Sequence, residues 1–284
     1  MNECIKNIFC VFLCFFVAII LASSIMATEV IKIVAAENVY GGIAQQIGDS
    51  SVTVVSIMNN PNQDPHEFQA DSATAKAVAD ADIIIYNGIG YDSWMEKLLG
   101  TRGKPGRQVI KVSDLVGAKM GDNPHLWYDP KTMPALATRL SNMLSKKTEL
   151  LIFLQSMQPF LDKIVILKER YHGISVSATE PLFGLMASAL DWKMLNNGYQ
   201  LAIMNGTEPS FKQIIDFQKS LTSKKIQLLF YNSQVMNPAT AQLQKIAQQN
   251  GIPVLGIAET QPATSKNYQE WMIQQLSEVE RALK

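Results

Sequence analysis

Only three histidines occur among the 284 residues, and two of them sit in loops of one design. His66 lies in Asn60-Pro-Asn-Gln-Asp-Pro-His-Glu-Phe68, and His125 in Gly121-Asp-Asn-Pro-His-Leu-Trp-Tyr-Asp-Pro130. A proline before each histidine fixes its own φ and biases the residue before it toward extended geometry, so such loops can hold an imidazole in one direction. Two carboxylates stand at comparable places further on: Glu180 after a strand ending at Ala178, and Glu259 after one ending at Ile257. Two neutral imidazoles and two carboxylates are a donor set for a borderline divalent cation. Taken singly, each has an ordinary role as well. A loop histidine serves as a hydrogen-bonding surface group, Glu180 as a helix cap and Glu259 as a solvated side chain. The third histidine, His172, falls at the end of a long helical stretch, where it complements the helix C-terminus.

The supporting polar residues expected around such a site are Asp64, Asp122, Asn123 and Asn205, placed to orient imidazoles or carboxylates. The same residues beside proline and glycine also read as turn formers. Trp127, Tyr231 and Met204 are candidate cleft walls, with core packing as the default. Ser210 is placed to cap the helix that follows it. The chain has no G-x-S-x-G elbow, no P-loop and no H-E-x-x-H pair. Four protein ligands would fill the coordination of a tetrahedral ion, which favours capture over catalysis, since catalytic zinc keeps one position open. The alternatives are an exported metallohydrolase with Glu180 or Glu259 as general base, and a binder of an organic or chelated-metal ligand.

The elements that must carry these residues alternate. Strands are expected at 31–35, 52–57, 83–87 and 108–112, with helices at 39–47, 72–79 and 93–99. This βαβ rhythm predicts a parallel sheet covered by helices on both faces. From 132 to about 171 the pattern is helical, with Phe153, Met157, Phe160, Ile164, Leu167 and Tyr171 on one face. Pro159 should kink or divide that stretch. The alternation then resumes, with strands at 174–178, 200–204, 226–231 and 253–257 and helices at 182–190, 211–221, 239–249 and 268–283. The fold class is therefore α/β: two lobes, each a small parallel sheet flanked by helices, joined by a long linker helix. The expected segments are a signal peptide at 1–27, a first lobe at 28–146, a linker at 147–172 and a second lobe at 173–284. Ligands of parallel α/β sheets bind beyond the carboxyl ends of the strands, where all four candidate ligands fall.

Lys6, the apolar stretch from Ile8 to Leu21 and the small residues up to Ala27 have the order of a secretory signal, which implies export to the periplasm. All three cysteines, Cys4, Cys10 and Cys14, lie inside that leader, so the mature chain would have no thiolate to offer a metal. No second stretch reads as long and apolar enough to span a bilayer. Lysine plus arginine equals aspartate plus glutamate, 25 against 25, which offers no basic field for nucleic acid.

The chain resembles the solute-binding proteins of zinc- and manganese-type ABC importers. The likeness runs from Ile31 to Leu283 and is carried by Asp64-Pro-His-Glu-Phe68, Asn123-Pro-His-Leu-Trp127, Thr179-Glu-Pro-Leu-Phe-Gly184, Gly256-Ile-Ala-Glu-Thr260 and Tyr268-Gln-Glu-Trp-Met272. The resemblance implies one Zn2+ or Mn2+ ion as cargo between the lobes, a monomer, and an inner-membrane ABC permease as partner. It also implies the ligands His66, His125, Glu180 and Glu259. In the family the third position is histidine in many zinc binders and glutamate in many manganese binders, and the fourth is usually aspartate. Glu259 is the longer variant of that fourth ligand. The histidine-rich loop of many zinc-specific members is absent here.

Overall fold

The computed structural model describes residues 30–62, 65–101, 103–235 and 238–284, with residue 66 described by its backbone only. The expected leader and Asp64 lie outside the described residues. β1 (Ile31–Glu37), α1 (Asn38–Gly48), β2 (Val52–Met58), α2 (Ser72–Asp80), β3 (Ile83–Tyr86), α3 (Ser93–Leu99), β4 (Gln108–Lys111) and α4 (Val112–Val116) form the first half. All pairings in its sheet are parallel, in the order β2-β1-β3-β4. Ile33 and Val34 point to opposite faces and both are buried, because β1 has a strand on each side and helices above and below.

Three helices follow: α5 (Thr132–Leu144), α6 (Lys147–Ser156) and α7 (Gln158–Arg170). The break at Met157 falls where Pro159, in the first turn of α7, has no N–H to continue the ladder. Phe153, Met157, Phe160, Ile164 and Leu167 of this pair are buried, while Leu151, Ile152, Val165 and Ile166 face solvent. By length and composition the segment Lys147–Arg170 would pass as a membrane span, contrary to expectation, yet one face of it is committed to the core.

β5 (Ser175–Ala178), α8 (Gly184–Ala189), β6 (Lys193–Leu195), α9 (Asn197–Met204), α10 (Phe211–Thr222), β7 (Leu228–Asn232), α11 (Pro238–Gln249), β8 (Val254–Ile257) and α12 (Tyr268–Ala282) complete the chain. The second sheet is again parallel, ordered β6-β5-β7-β8, the plan of the first. The expected strand at 200–204 is a correction: Gln200–Met204 belongs to α9, and the edge strand is β6. Asn196 turns the chain in the left-handed region (φ 60°), and the Gln200 side chain donates to the Leu195 carbonyl at 2.6 Å, closing β6 as α9 starts. An apolar run as short as Leu201–Met204 has no period that separates strand from helix. Ser210 caps α10 in a capping box with Gln213.

The inner faces of both sheets share a single apolar core with α1, α5, α6, α7, α8 and α12. Each outer face has a small separate core, one under α2 and α3 and one under α9, α10 and α11. α12 fastens the second half back onto the first. Tyr268 donates to the Trp127 carbonyl at 2.8 Å, Gln269 reaches Gln46 of α1 (3.0 Å) and Ser156 of α6 (2.7 Å), and Glu280 pairs with Lys163 at 2.5 Å and with Arg170.

Candidate metal centre

His125 opens a short 3-10 turn, Leu126–Tyr128, and is fully buried. Asn123 Oδ1 accepts from the His125 backbone N–H at 3.0 Å and lies 2.9 Å from its ring Nδ1. The Asn123 amide nitrogen is committed to the Pro181 carbonyl (2.6 Å), so the atom facing Nδ1 is an oxygen and Nδ1 must carry the proton. In a neutral imidazole with that tautomer, Nε2 is the nitrogen that carries the lone pair. Nε2 is buried, has no hydrogen-bond partner, and stands 3.6 Å from Glu259 Oε2. Tyr91 and Trp127 meet the imidazole edge-on at 5.8 and 5.5 Å between centroids. The Asn123 bridge to Pro181 also explains Gly184, where a Cβ would come within 2.8 Å of the Asn123 amide nitrogen.

Glu180 leaves β5 in extended geometry, just before a 3-10 turn begun by Pro181, and Glu259 lies two residues past β8. Both are buried. Asn232, the last residue of β7, donates from Nδ2 to Glu180 Oε2 at 3.0 Å and to Glu259 Oε1 at 2.5 Å. Its Oδ1 accepts from the Gln234 N–H at 3.0 Å, which fixes the orientation of the amide. Tyr91, from the first half, donates to Glu259 Oε2 at 2.6 Å. Burial, and next the Glu259 carboxylate, push the Tyr91 hydroxyl well above its ordinary value, so it stays a donor. Gln234 Oε1 accepts from the backbone N–H groups of Glu259 (2.6 Å) and Thr260 (2.9 Å), fixing the loop that presents Glu259.

A second polar cluster stands behind His125. Asn87 donates to the Pro124 carbonyl at 2.9 Å, accepts from the Tyr40 hydroxyl at 2.6 Å, and its backbone N–H donates to Asp92 at 2.6 Å. Asp92 also accepts from Gly88 N–H at 2.8 Å, yet burial lifts its carboxyl to about 6. Glu37, at the end of β1, is buried with no donor reaching either oxygen. Burial, and then the neighbouring Asp92, hold its carboxyl well above the usual range. A protonated Glu37 donating to Asp92 satisfies both groups.

The structure thus sets Glu259 beside His125 and links it through Asn232 to Glu180, with Asn123 behind the imidazole. Among the described residues no three of His, Asp and Glu converge tightly enough to define a cation position by themselves. His66 follows β2 in the 3-10 turn Pro65–Glu67, at the same sheet edge, and Phe68 holds that turn against Trp94 with ring centroids 4.7 Å apart. Its side chain and Asp64 are outside the described residues. Asn205 makes no hydrogen bond to His125, Glu180 or Glu259; it lines a cleft of about 900 Å3 that reaches Glu180 between Glu67 on one side and Met204, Glu208 and Pro209 on the other. His172 is exposed, 3.6 Å from Asp191. Trp127 is wholly in the core, and Met204 is a cleft wall. Asn232, Gln234 and Tyr91 were not anticipated, although Asn232 sits at the carboxyl end of a central strand, where the same topological rule that selected Glu180 and Glu259 applies.

Chemically, one amide bridges two buried carboxyl groups, and one of these also meets a phenol and lies beside a buried imidazole nitrogen. Known proteins are similar to this chain in sequence and fold. SloC of Streptococcus mutans, a metal ABC transporter substrate-binding lipoprotein, is 25% identical over 252 residues, covering 80% of each chain. PsaA of Streptococcus pneumoniae serotype 4, a manganese ABC transporter substrate-binding lipoprotein, is 24% identical over 248 residues, 79% of this chain and 78% of that one. The solved structure of the periplasmic zinc-binding protein TroA from Treponema pallidum superposes with a TM-score of 0.71 at 19% identity, over 89% of this chain and 98% of that one, and so shares its fold. Residues 33–282 match the family described as zinc-uptake complex component A, periplasmic, and the chain belongs to that family.

Proposed function

We propose that this chain is an extracytoplasmic solute-binding protein that captures one divalent transition-metal ion, zinc or manganese, and hands it to an ABC-type permease. His66 and His125 bind as neutral imidazoles, and Glu180 and Glu259 as carboxylates. The observation that carries the reading is His125 Nε2, a buried lone pair without a donor, 3.6 Å from a carboxylate oxygen. An orphaned acceptor in such a place costs stability unless a cation uses it. The turn after β2 brings His66 to the same edge of the sheets and supports its role as the fourth ligand. The relatives' names support the cargo class and the permease partner. With four protein ligands the ion is held and not used, which fits transport and leaves no position for an attacking water.

The test is metal uptake by the exported form, stripped with chelator and exposed to an equimolar zinc and manganese mixture. One ion per chain is expected, lost in His66→Ala and in Glu180→Ala. Absence of stoichiometric metal in the unaltered protein would refute the reading.

A further inference from the structure

We propose that Tyr91 is a positioning residue that holds Glu259 for the cargo ion and gives it up on binding, so that its hydroxyl weakens capture and eases release. The inference rests on Glu259 being a metal ligand. Tyr91 belongs to the first half, and its hydroxyl crosses to the second to donate to Glu259 Oε2 at 2.6 Å. That same oxygen stands 3.6 Å from His125 Nε2, while Oε1 accepts from Asn232. Zinc–nitrogen and zinc–oxygen bonds are each about 2.0–2.2 Å long, so two tetrahedral ligand atoms lie roughly 3.4 Å apart. Nε2 and Oε2 are therefore close to the span that one ion would bridge. The Tyr91 ring lies edge-on to the imidazole, with centroids 5.8 Å apart, so this residue stands against both groups that the ion would join. A cation arriving at Oε2 meets a hydrogen bond already made, and competes with its proton for the same electron density.

The loop that delivers Tyr91 is fixed in an unusual shape. Gly88, Ile89 and Gly90 all have positive φ (85°, 46° and 90°), which a β-branched residue such as Ile89 rarely adopts. Ile89 is buried in the shared core, and Asp92 accepts from the Asn87 and Gly88 N–H groups at 2.6 and 2.8 Å, which keeps the loop in place. Strained backbone held by its surroundings in this way clusters at ligand clamps. A fixed phenol cannot follow the carboxylate as it turns toward an ion, so binding breaks this bond and release remakes it.

Tyr91→Phe removes the hydroxyl and keeps the ring, and Tyr91→Leu serves if the phenylalanine variant does not fold. Zinc and manganese dissociation constants would be measured separately by chelator competition, together with the thermal midpoints of the stripped and zinc-loaded forms. The expected result is tighter binding of each metal in the variant, on the order of tenfold, the size of one hydrogen bond to a charged group. The stripped variant should melt below the stripped unaltered protein, while the two zinc-loaded forms melt together, because only the form without the ion contains the bond. Zinc should also produce a tyrosine absorption difference in the unaltered protein that the variant lacks. Unchanged or weaker binding in the variant, or an equal loss of midpoint with and without zinc, would overturn the role of Tyr91 while leaving metal capture intact. No ion bound by the unaltered protein would overturn both.

Discussion

Glu37 and Asp92 show how a single buried pair ties the site's support to pH. Both carboxyls are raised by burial, Asp92 to about 6 and Glu37 well above its usual range with Asp92 as second cause. Above the unfolded carboxylate range near 4.5, the unfolded chain has released the Glu37 proton that the folded chain still holds. Stability contributed by this group is therefore full at low pH and declines as pH rises toward its folded value. Glu37→Gln keeps a donor for Asp92 and has no proton to lose. Thermal unfolding from pH 4 to 8 should show the variant gaining on the unaltered protein as pH rises; parallel curves would mean that Glu37 is ionised in the fold. At this scale the four candidate ligands are named from residue type and order, as proline-histidine loops and carboxylates after strands, and the structure describes the side chains of His125, Glu180 and Glu259. Asn232 and Gln234 could not be named so, because an amide after a strand has no distinctive spacing, and its value depends on which carboxylates the fold sets against it.

Among the elements, α12 has a consequence out of proportion to its position at the end of the second half. Its first turn is capped by Asn267, and Tyr268 donates across to the Trp127 carbonyl, two residues beyond His125. Tyr268→Phe leaves that buried carbonyl without its donor. The expected cost is about 1–3 kcal/mol, seen as a lower urea midpoint at unchanged slope. An unchanged midpoint would show that the bond makes no net contribution. Strands such as β1 and helices such as α3 were readable because their apolar runs are long enough to have a period, or are bounded by clear turns. β6 was missed and Gln200–Met204 misassigned for the opposite reason: a three-residue edge strand and a short apolar helix look alike until the chain reversal at Asn196 is known.

For the molecule as a whole, the shared inner core matters more than the division into two sheets. Residues from β1 and α1 and from β5, β7 and α12 belong to one apolar cluster, and Tyr128 joins them further: its hydroxyl donates to the Ala258 carbonyl at 2.7 Å and lies 3.0 Å from the Gln275 side-chain amide. Halves joined in this way should unfold together. Far-ultraviolet and tryptophan signals are expected to give one coincident denaturant transition, and two separated transitions would show that the lobes are independent.

The two outer layers have small cores of their own, and it is their loops that border the cleft: Glu67 ahead of α2 on one bank, and Met204 to Pro209 between α9 and α10 on the other. His125, by contrast, is seated on the shared core against Trp127. The cleft walls therefore belong to the two small outer layers while the His125 imidazole packs on the shared core, so displacement of a wall need not disturb the imidazole.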